Sequence, residues 1–303
     1  MDQVLKSYLE HTVGAANVHE NVPLSTKTTL RIGGNARFYV EVQSKEALVR
    51  LVGALKYIDH PYFIIGLGAN LLCADEGYRG VVIRLMFKEI IDNQCFIYAD
   101  AGATLKSVCN FARDRNLSGL EWAIGIPATI GGAVFMNAGA HGGEISNVVA
   151  MVDVITNDGK IKTLDHKQLK FAHRKSVFHT KPDWVILGAY FYLTPDTLEN
   201  ITARQNAFVQ KRKSTQPTEP NAGSTFRRPT PDFAVGRAID ELGLKGKTIG
   251  GAKISEKHAG FIVNAGGATA ADVIALINLV KREVFKKYNV RLTPEIRMLR
   301  TKN

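Results

Sequence analysis

Apolar residues along this chain follow two periods, and the switches between them predict its elements. A short amphipathic helix opens the chain. In KEALVRLVGALK (45–56) the apolar residues recur at helical spacing, and Ser44 stands at the N-cap position. TTLRIGGNARFYVEV (28–42) reads instead as strand, glycine turn and strand, with β-branched and aromatic residues on either side of Gly33-Gly34. YFIIGLGANLL (62–72) is a buried strand running into a glycine loop, and GVVIRL (80–85) is another strand. These elements predict a first α/β unit over residues 1–80.

A second unit is expected over 81–204. CFIYADAGATL predicts a strand and turn, and TLKSVCNFARDRNL a helix. GIPATIGGAVFMNAGAHGGE (125–144) is rich in Gly and Ala and carries no Lys, Arg, Asp or Glu before Glu144. AMVDVITNDGKIKTL folds over an NDG turn signal, and DWVILGAYFYL adds a strand. NITARQNAFVQKRKSTQP predicts a polar helix leading into a proline-punctuated loop, which marks the boundary to a third unit over 205–303. There FAVGRAIDELG is a helix that Gly243 stops, TIGGAKIS a glycine turn and HAGFIVN a strand. Thr269 and Asp272 have the spacing of a capping box. The helix behind them aligns Val273, Leu276, Ile277, Val280 and Val284 on one face. A final strand, VRLTPEIRML, is expected to carry Glu295. The whole pattern is α+β.

Composition narrows the class. The 303 residues are 45% hydrophobic and 22% charged, as in a soluble globular protein. No apolar run approaches a membrane span, and the N-terminal residues lack a signal-peptide core. Cys73, Cys95 and Cys109 are widely spaced and suggest neither a disulfide framework nor a metal site, so a reducing cytoplasm is expected. The formal charge of +11 suits nucleic acid, an anionic surface or small polyanionic substrates. Without an aromatic-rich RNA-binding signature or Cys/His finger spacing, small polyanions fit better.

The glycine loops fit no common nucleotide template. GLGANL (66–71) approaches GxGxxG, but position 71 is Leu and LCADEGYRG behind it predicts a turn into a strand, not a helix. No GxxxxGK[ST] is present. Bare N–H groups in this loop and in 125–143 can form an anion nest, or the two can be tight turns of a packed protein. NAGSTFRRP (221–229) sets Ser224 between a glycine and two arginines, which offer donors to phosphate or carboxylate.

TLRIGGNARF, GLGANLLCADEGYRG, GIPATIGGAVFMNAGAHGGE, FAHRKSVF, NAGSTFRRP, GGAKISEKHAGFIVN and LTPEIR occur in this order. Together they closely resemble the bacterial UDP-N-acetylenolpyruvoylglucosamine reductases, the MurB family of peptidoglycan precursor synthesis, from residue 20 onward. The resemblance implies an FAD-binding fold shared with vanillyl-alcohol oxidase and para-cresol methylhydroxylase, in two subdomains, followed by an α+β substrate-binding domain. It implies non-covalent FAD, NADPH as co-substrate and the enolpyruvyl ether of UDP-N-acetylglucosamine as substrate, in a cytoplasmic monomer of the shorter family subtype, with no nucleic-acid or membrane partner. By motif, the catalytic residues it implies are Arg174, Ser224 and Glu295. Cofactor contacts are expected from Arg31, from Gly66, Gly68, Ala69, Asn70 and Leu71, and from Gly125, Ile126, Pro127, Gly131, Gly132, Asn137, Ala138 and Gly139. Substrate contacts are expected from Arg227, Arg228, Lys257 and His258.

Three positions depart from the family pattern: Ala69 replaces a serine, His141 a tyrosine, and His173 an aromatic residue before Arg174. The implied reaction explains the residue types that remain. Hydride addition to an alkene conjugated to a carboxylate builds an enolate-like dianion. Arg174 offers that dianion a bidentate fork, and a protonated Glu295 is expected to hydrogen-bond it. Ser224 then gives a proton to a strongly basic carbon.

Overall fold

The computed structural model describes residues 2–94 and 96–301, so Cys95 lies outside the described residues. The chain gathers into two compact units. One holds the residues up to His19, Tyr39–Leu67 and Val81–Arg212; the other holds Glu20–Phe38, Gly68–Gly80 and the chain from Lys213 onward. Neither unit is continuous in sequence. The boundary expected at 204/205 falls inside an unbroken helix, Leu198–Thr215.

The first unit is built on a five-stranded antiparallel sheet in the order Ile161–Asp165, Val149–Ile155, Val185–Tyr192, Phe96–Asp100, Ile90–Asn93. Strand period sends Ile97, Ala99, Val152, Val154, Ala189 and Phe191 into the core. Short helix Ile130–Met136 packs on the long strand Val185–Tyr192. The expected NDG hairpin forms, with Thr156 N–H donating to Lys160 O at 2.9 Å. Helix Lys45–Tyr57 starts where the pattern places it, the Ser44 hydroxyl accepting from Ala47 N–H. Its first residue, Lys45, pairs with buried Asp100 at 2.7 Å and donates to the Tyr98 hydroxyl at 2.9 Å. Burial alone would lower the Lys45 pKa; the Asp100 and Tyr98 hydrogen bonds outweigh it and raise the pKa.

The second unit pairs strands Asn221–Ser224, Phe261–Asn264, Ala252–Ile254 and Thr248–Ile249 in that order. Helix Ala270–Tyr288 lies on this sheet and buries Val273, Leu276, Ile277, Val280 and Val284. Its capping box is formed as the spacing requires: Thr269 accepts from Asp272 N–H, and Asp272 accepts from Thr269 N–H. Asp75 adds a second cap, its carboxylate accepting from Ala270 N–H at 2.7 Å and Ala271 N–H at 3.1 Å. Segment Leu71–Cys73 pairs in parallel with Arg297–Leu299.

Two strand expectations need correction. Residues 28–32 form turns, closed by Arg31 N–H to Thr28 O at 3.3 Å, while Leu30 and Ile32 enter the core of the second unit. Their apolar character reflects loop residues that fill a core. The strand in that region is Val18–Pro23, which the pattern VHENVP did not announce. Glu295 lies just before the last strand, Arg297–Leu299, and not within it.

Candidate active site

Ser224 ends the strand Asn221–Ser224, opposite Phe261, and is exposed. The next three residues are tied down on both sides. Thr225 donates its N–H to Gly260 O at 2.8 Å, and its hydroxyl accepts from Ile262 N–H. Phe226 bridges Pro294, and Arg227 N–H donates to Thr293 O at 2.9 Å. Glu295 N–H donates to Thr225 O at 2.8 Å. The GS-x-F motif at 223–226 and the P-E-I-R motif at 294–297, far apart in the chain, are thus hydrogen-bonded neighbours.

Around this pair the second unit supplies cations. The Nε of Arg227 is buried and has no hydrogen-bond partner, a costly state for a charged group unless an anion arrives. Arg228 is exposed, donating to Pro231 O at 3.3 Å. Lys257 Nζ donates to Lys213 O at 2.5 Å. His258 accepts from Gly260 N–H through Nδ1 and meets Phe261 edge-on at 4.9 Å. Burial holds its pKa below the ordinary histidine value, so it is a neutral ring. Arg31 is exposed on a turn whose Leu30 and Arg31 carbonyls accept from the Asn264 amide.

In the first unit, Arg174 sits at the tip of a tight turn closed by Ala172 and Lys175, with φ of 54°. Its guanidinium donates to Gly139 O at 2.8 Å and to Asn137 O at 3.4 Å. Asn137 is fully buried, and its side chain is engaged within the protein: Nδ2 donates to Ala172 O and Oδ1 accepts from Ser146 N–H. It therefore anchors the Arg174 turn to the end of helix Ile130–Met136.

The glycine loops have different capacities. A Cβ at Gly66 would lie 2.7 Å from the Thr129 hydroxyl, so the two loops approach closely there. Gly68 has φ of +63°, and a Cβ there would lie 2.5 Å from Lys27 O. Among the described residues, the N–H groups of Gly68, Ala69 and Asn70 donate to no protein acceptor. Loop 66–70 therefore fits a pyrophosphate held by backbone donors, and the missing serine hydroxyl at Ala69 leaves that capacity in place. In the second loop several donors are already taken. Ile126 N–H goes to Ala123 O, Ile130 N–H to Ala103 O, Gly131 N–H to Ala101 O and Ala138 N–H to Ala133 O. Gly132 N–H reaches the Thr129 hydroxyl at 3.4 Å. Pro127 and Gly132 are exposed, and Leu71 is buried in its strand.

Sequence reasoning missed Arg212, read there only as one residue of the polar helix NITARQNAFVQKRKSTQP. Its side chain lies over Gly125, burial lowers its pKa, and among the described residues it has no ion-pair partner. The glycine opposite it was the available signal. His141 is stacked on Phe208 at 5.2 Å. Burial, then the charges of Lys211 and Arg212, lower its pKa.

Comparison with known proteins places these motifs in one lineage. Residues 216–299 match the C-terminal domain of UDP-N-acetylenolpyruvoylglucosamine reductase, and residues 36–165 match an FAD-binding domain. The UDP-N-acetylenolpyruvoylglucosamine reductase of Caldanaerobacter subterraneus subsp. tengcongensis is 40% identical over 99% of both chains. That of Syntrophomonas wolfei is 41% identical, covering 92% of this chain and 94% of its own. The crystal structure of the Thermus caldophilus reductase (MurB) superposes with a TM-score of 0.80 at 36% identity, covering 93% of this chain and 98% of that one. On matched motifs, near-complete coverage and a common α+β fold with an FAD-binding domain, the chain belongs to the UDP-N-acetylenolpyruvoylglucosamine reductase family.

Proposed function

We propose that this chain reduces the enolpyruvyl ether of UDP-N-acetylglucosamine to UDP-N-acetylmuramate, with NADPH as reductant, in peptidoglycan precursor synthesis. The observation that carries the reading is the hydrogen bond from Glu295 to Thr225, which holds the acid motif beside Ser224. When bound, FAD supplies the hydride relay between NADPH and the alkene. Loop 66–70 would hold its phosphates through backbone donors, without a covalent bond.

The chain's own residues meet the charge changes. Arg174 neutralises the carboxylate as hydride reaches the terminal carbon and negative charge spreads into the enolate. Glu295, in its protonated form, hydrogen-bonds the same oxygen atoms. Ser224 transfers its hydroxyl proton to the second carbon, and solvent restores that proton. One hydride and one proton are added across the double bond, and NADPH leaves as NADP+. Arg227, Arg228, Lys257 and His258 are assigned to the sugar nucleotide, the orphaned Arg227 Nε being the strongest support among them. In this reading residues 1–80 and 81–204 are the two flavin-binding subdomains, the second of which also lends Arg174 to the substrate carboxylate, and 205–303 bind the sugar nucleotide.

Among the described residues no helix is long and apolar enough to cross a membrane. Cys73 and Cys109 are buried free thiols, and soluble nucleotide substrates suit a monomer working in a reducing cytoplasm. The test is anaerobic: NADPH should bleach the bound flavin, and the enolpyruvyl UDP-sugar should recolour it while UDP-N-acetylmuramate appears by mass. Bleaching without recolouring by that substrate overturns the proposal.

A further inference from the structure

We infer that Asn70 is a positioning residue for Glu295, so that the loop assigned to the flavin phosphates also sets the geometry of the acid. The inference deepens the proposed reduction and rests on that reading for the role of Glu295.

Asn70 grips the segment 295–297 twice. Its side-chain Nδ2 donates to Glu295 O at 3.2 Å, and its own carbonyl accepts from Arg297 N–H at 3.1 Å. Directly beyond it the two segments continue as a parallel pair, Leu71 with Arg297, Leu72 with Met298 and Cys73 with Leu299. From the other side, Glu295 N–H is held by Thr225 O at 2.8 Å. The peptide groups before and after the Glu295 Cα are therefore both fixed, one to the Ser224 segment and one to the glycine loop. Glu295 precedes the strand, so the sheet does not hold its carbonyl; the Asn70 amide does. That amide is therefore one of the bonds that set the direction in which the Glu295 side chain leaves the backbone.

Asn70 has no acid or base chemistry of its own. Its amide also stands apart from the loop's phosphate-binding capacity, which lies in backbone N–H groups unaffected by a side-chain change. Removing the amide leaves the Arg297–Asn70 backbone bond and the parallel strands intact, so the expected damage is local. Loss of close positioning of a reacting group costs about 10- to 100-fold in rate without loss of the fold.

The experiment compares FAD-loaded wild type, Asn70→Ala, Glu295→Gln and the double variant. Hydrogen exchange read by mass spectrometry on peptides spanning 293–299 tests the geometry without any substrate. Asn70→Ala should exchange faster there and at wild-type rates in the helix 270–288. Stopped-flow then measures flavin bleaching by NADPH and recolouring by the enolpyruvyl UDP-sugar. FAD affinity is measured for each variant and bleaching is compared at saturating FAD, so that any loss of cofactor contact at loop 66–70 is read separately from recolouring. Recolouring should slow about 10- to 100-fold, and the double variant should be no slower than Glu295→Gln alone, because the two residues act as one unit. If Asn70→Ala does not fold, Asn70→Ser carries the same comparison. Unchanged exchange at 293–299, or additive losses in the double variant, overturns the inference. A wild type that bleaches but is not recoloured by the UDP-sugar overturns the proposed function instead, leaving the exchange result to judge Asn70.

Discussion

The guanidinium of Arg174 donates to the carbonyl oxygen of Gly139 at 2.8 Å, which fixes the plane of its fork. The turn beneath it is fixed too, since the buried Asn137 amide holds Ala172 O at 3.1 Å. A cation held this way loses little order when a carboxylate meets it. Arg174→Ala should slow flavin recolouring by the enolpyruvyl substrate about 100- to 1,000-fold, the usual cost of one preorganised donor. Bleaching by NADPH should change far less. Stopped-flow traces of the two half-reactions decide: equal losses in both would assign Arg174 to cofactor binding or folding.

Ser224→Ala should leave FAD binding and bleaching by NADPH nearly intact, because neither needs a proton at the substrate carbon. Turnover should fall at least about 100-fold, and Ser224→Cys should retain more activity than Ala, since a thiol still gives a proton. In deuterated solvent the wild type should place one deuterium on the second carbon of the product's lactyl ether. The same incorporation at the wild-type rate by Ser224→Ala would remove Ser224 from the acid role.

A carboxylate pair in the first unit sets part of the acid limit of stability. Burial pushes the Glu121 pKa up, but hydrogen bonds from Arg204, Gly119 N–H and the Ser118 hydroxyl outweigh it and lower the pKa. Asp196, accepting from Asn200 and Arg204, is lowered to about 2. Groups depressed in the folded state contribute fully above their unfolded values of about 4 and lose that contribution as pH falls toward the folded value. Thermal stability should therefore drop between about pH 4 and 2, and Arg204→Ala should flatten that part of the curve while lowering stability at neutral pH. Parallel curves for the two proteins would show that the pair contributes nothing.

Asp75 caps a helix that begins 195 residues later in the chain. Asp75→Ala removes an acceptor from two first-turn N–H groups and a negative charge from the helix N-terminus. The expected cost is about 1 kcal/mol, and up to about 2. Urea unfolding should show a lower midpoint with an unchanged slope. A midpoint equal to wild type would mean that the Thr269 and Asp272 caps suffice alone.

What was legible in the sequence was local. Ser44, Thr269 and Asp272 announce helix starts because a cap needs only residues three apart. The face of Val273, Leu276, Ile277, Val280 and Val284 is visible because a helix repeats every few residues. Ser224 and Glu295 were found through motifs, but their adjacency was not, since it depends on backbone bonds between 225 and 295. Asp75 reads as a surface acid, and Asn137 as a polar residue in a glycine-rich loop, until the distant carbonyls and N–H groups they serve are in view. The apolar residues at 28–32 looked like a strand because burial, not pairing, selected them. No short window records which segments will share a core.

The interrupted make-up of the second unit has a consequence for how the protein is made. Leu30, Ile32 and Leu72 belong to the same core as Val273, Leu276 and Val280. During synthesis those early side chains emerge first and must wait for a helix encoded far downstream. At about 5–20 residues per second, the delay is on the order of ten seconds or more. Over that interval the nascent chain carries exposed apolar segments, which is the condition that recruits chaperones. A fragment beginning at Lys213 would, for the same reason, inherit a core with three of its side chains missing, and should be recovered as aggregate unless the early segments are supplied to it.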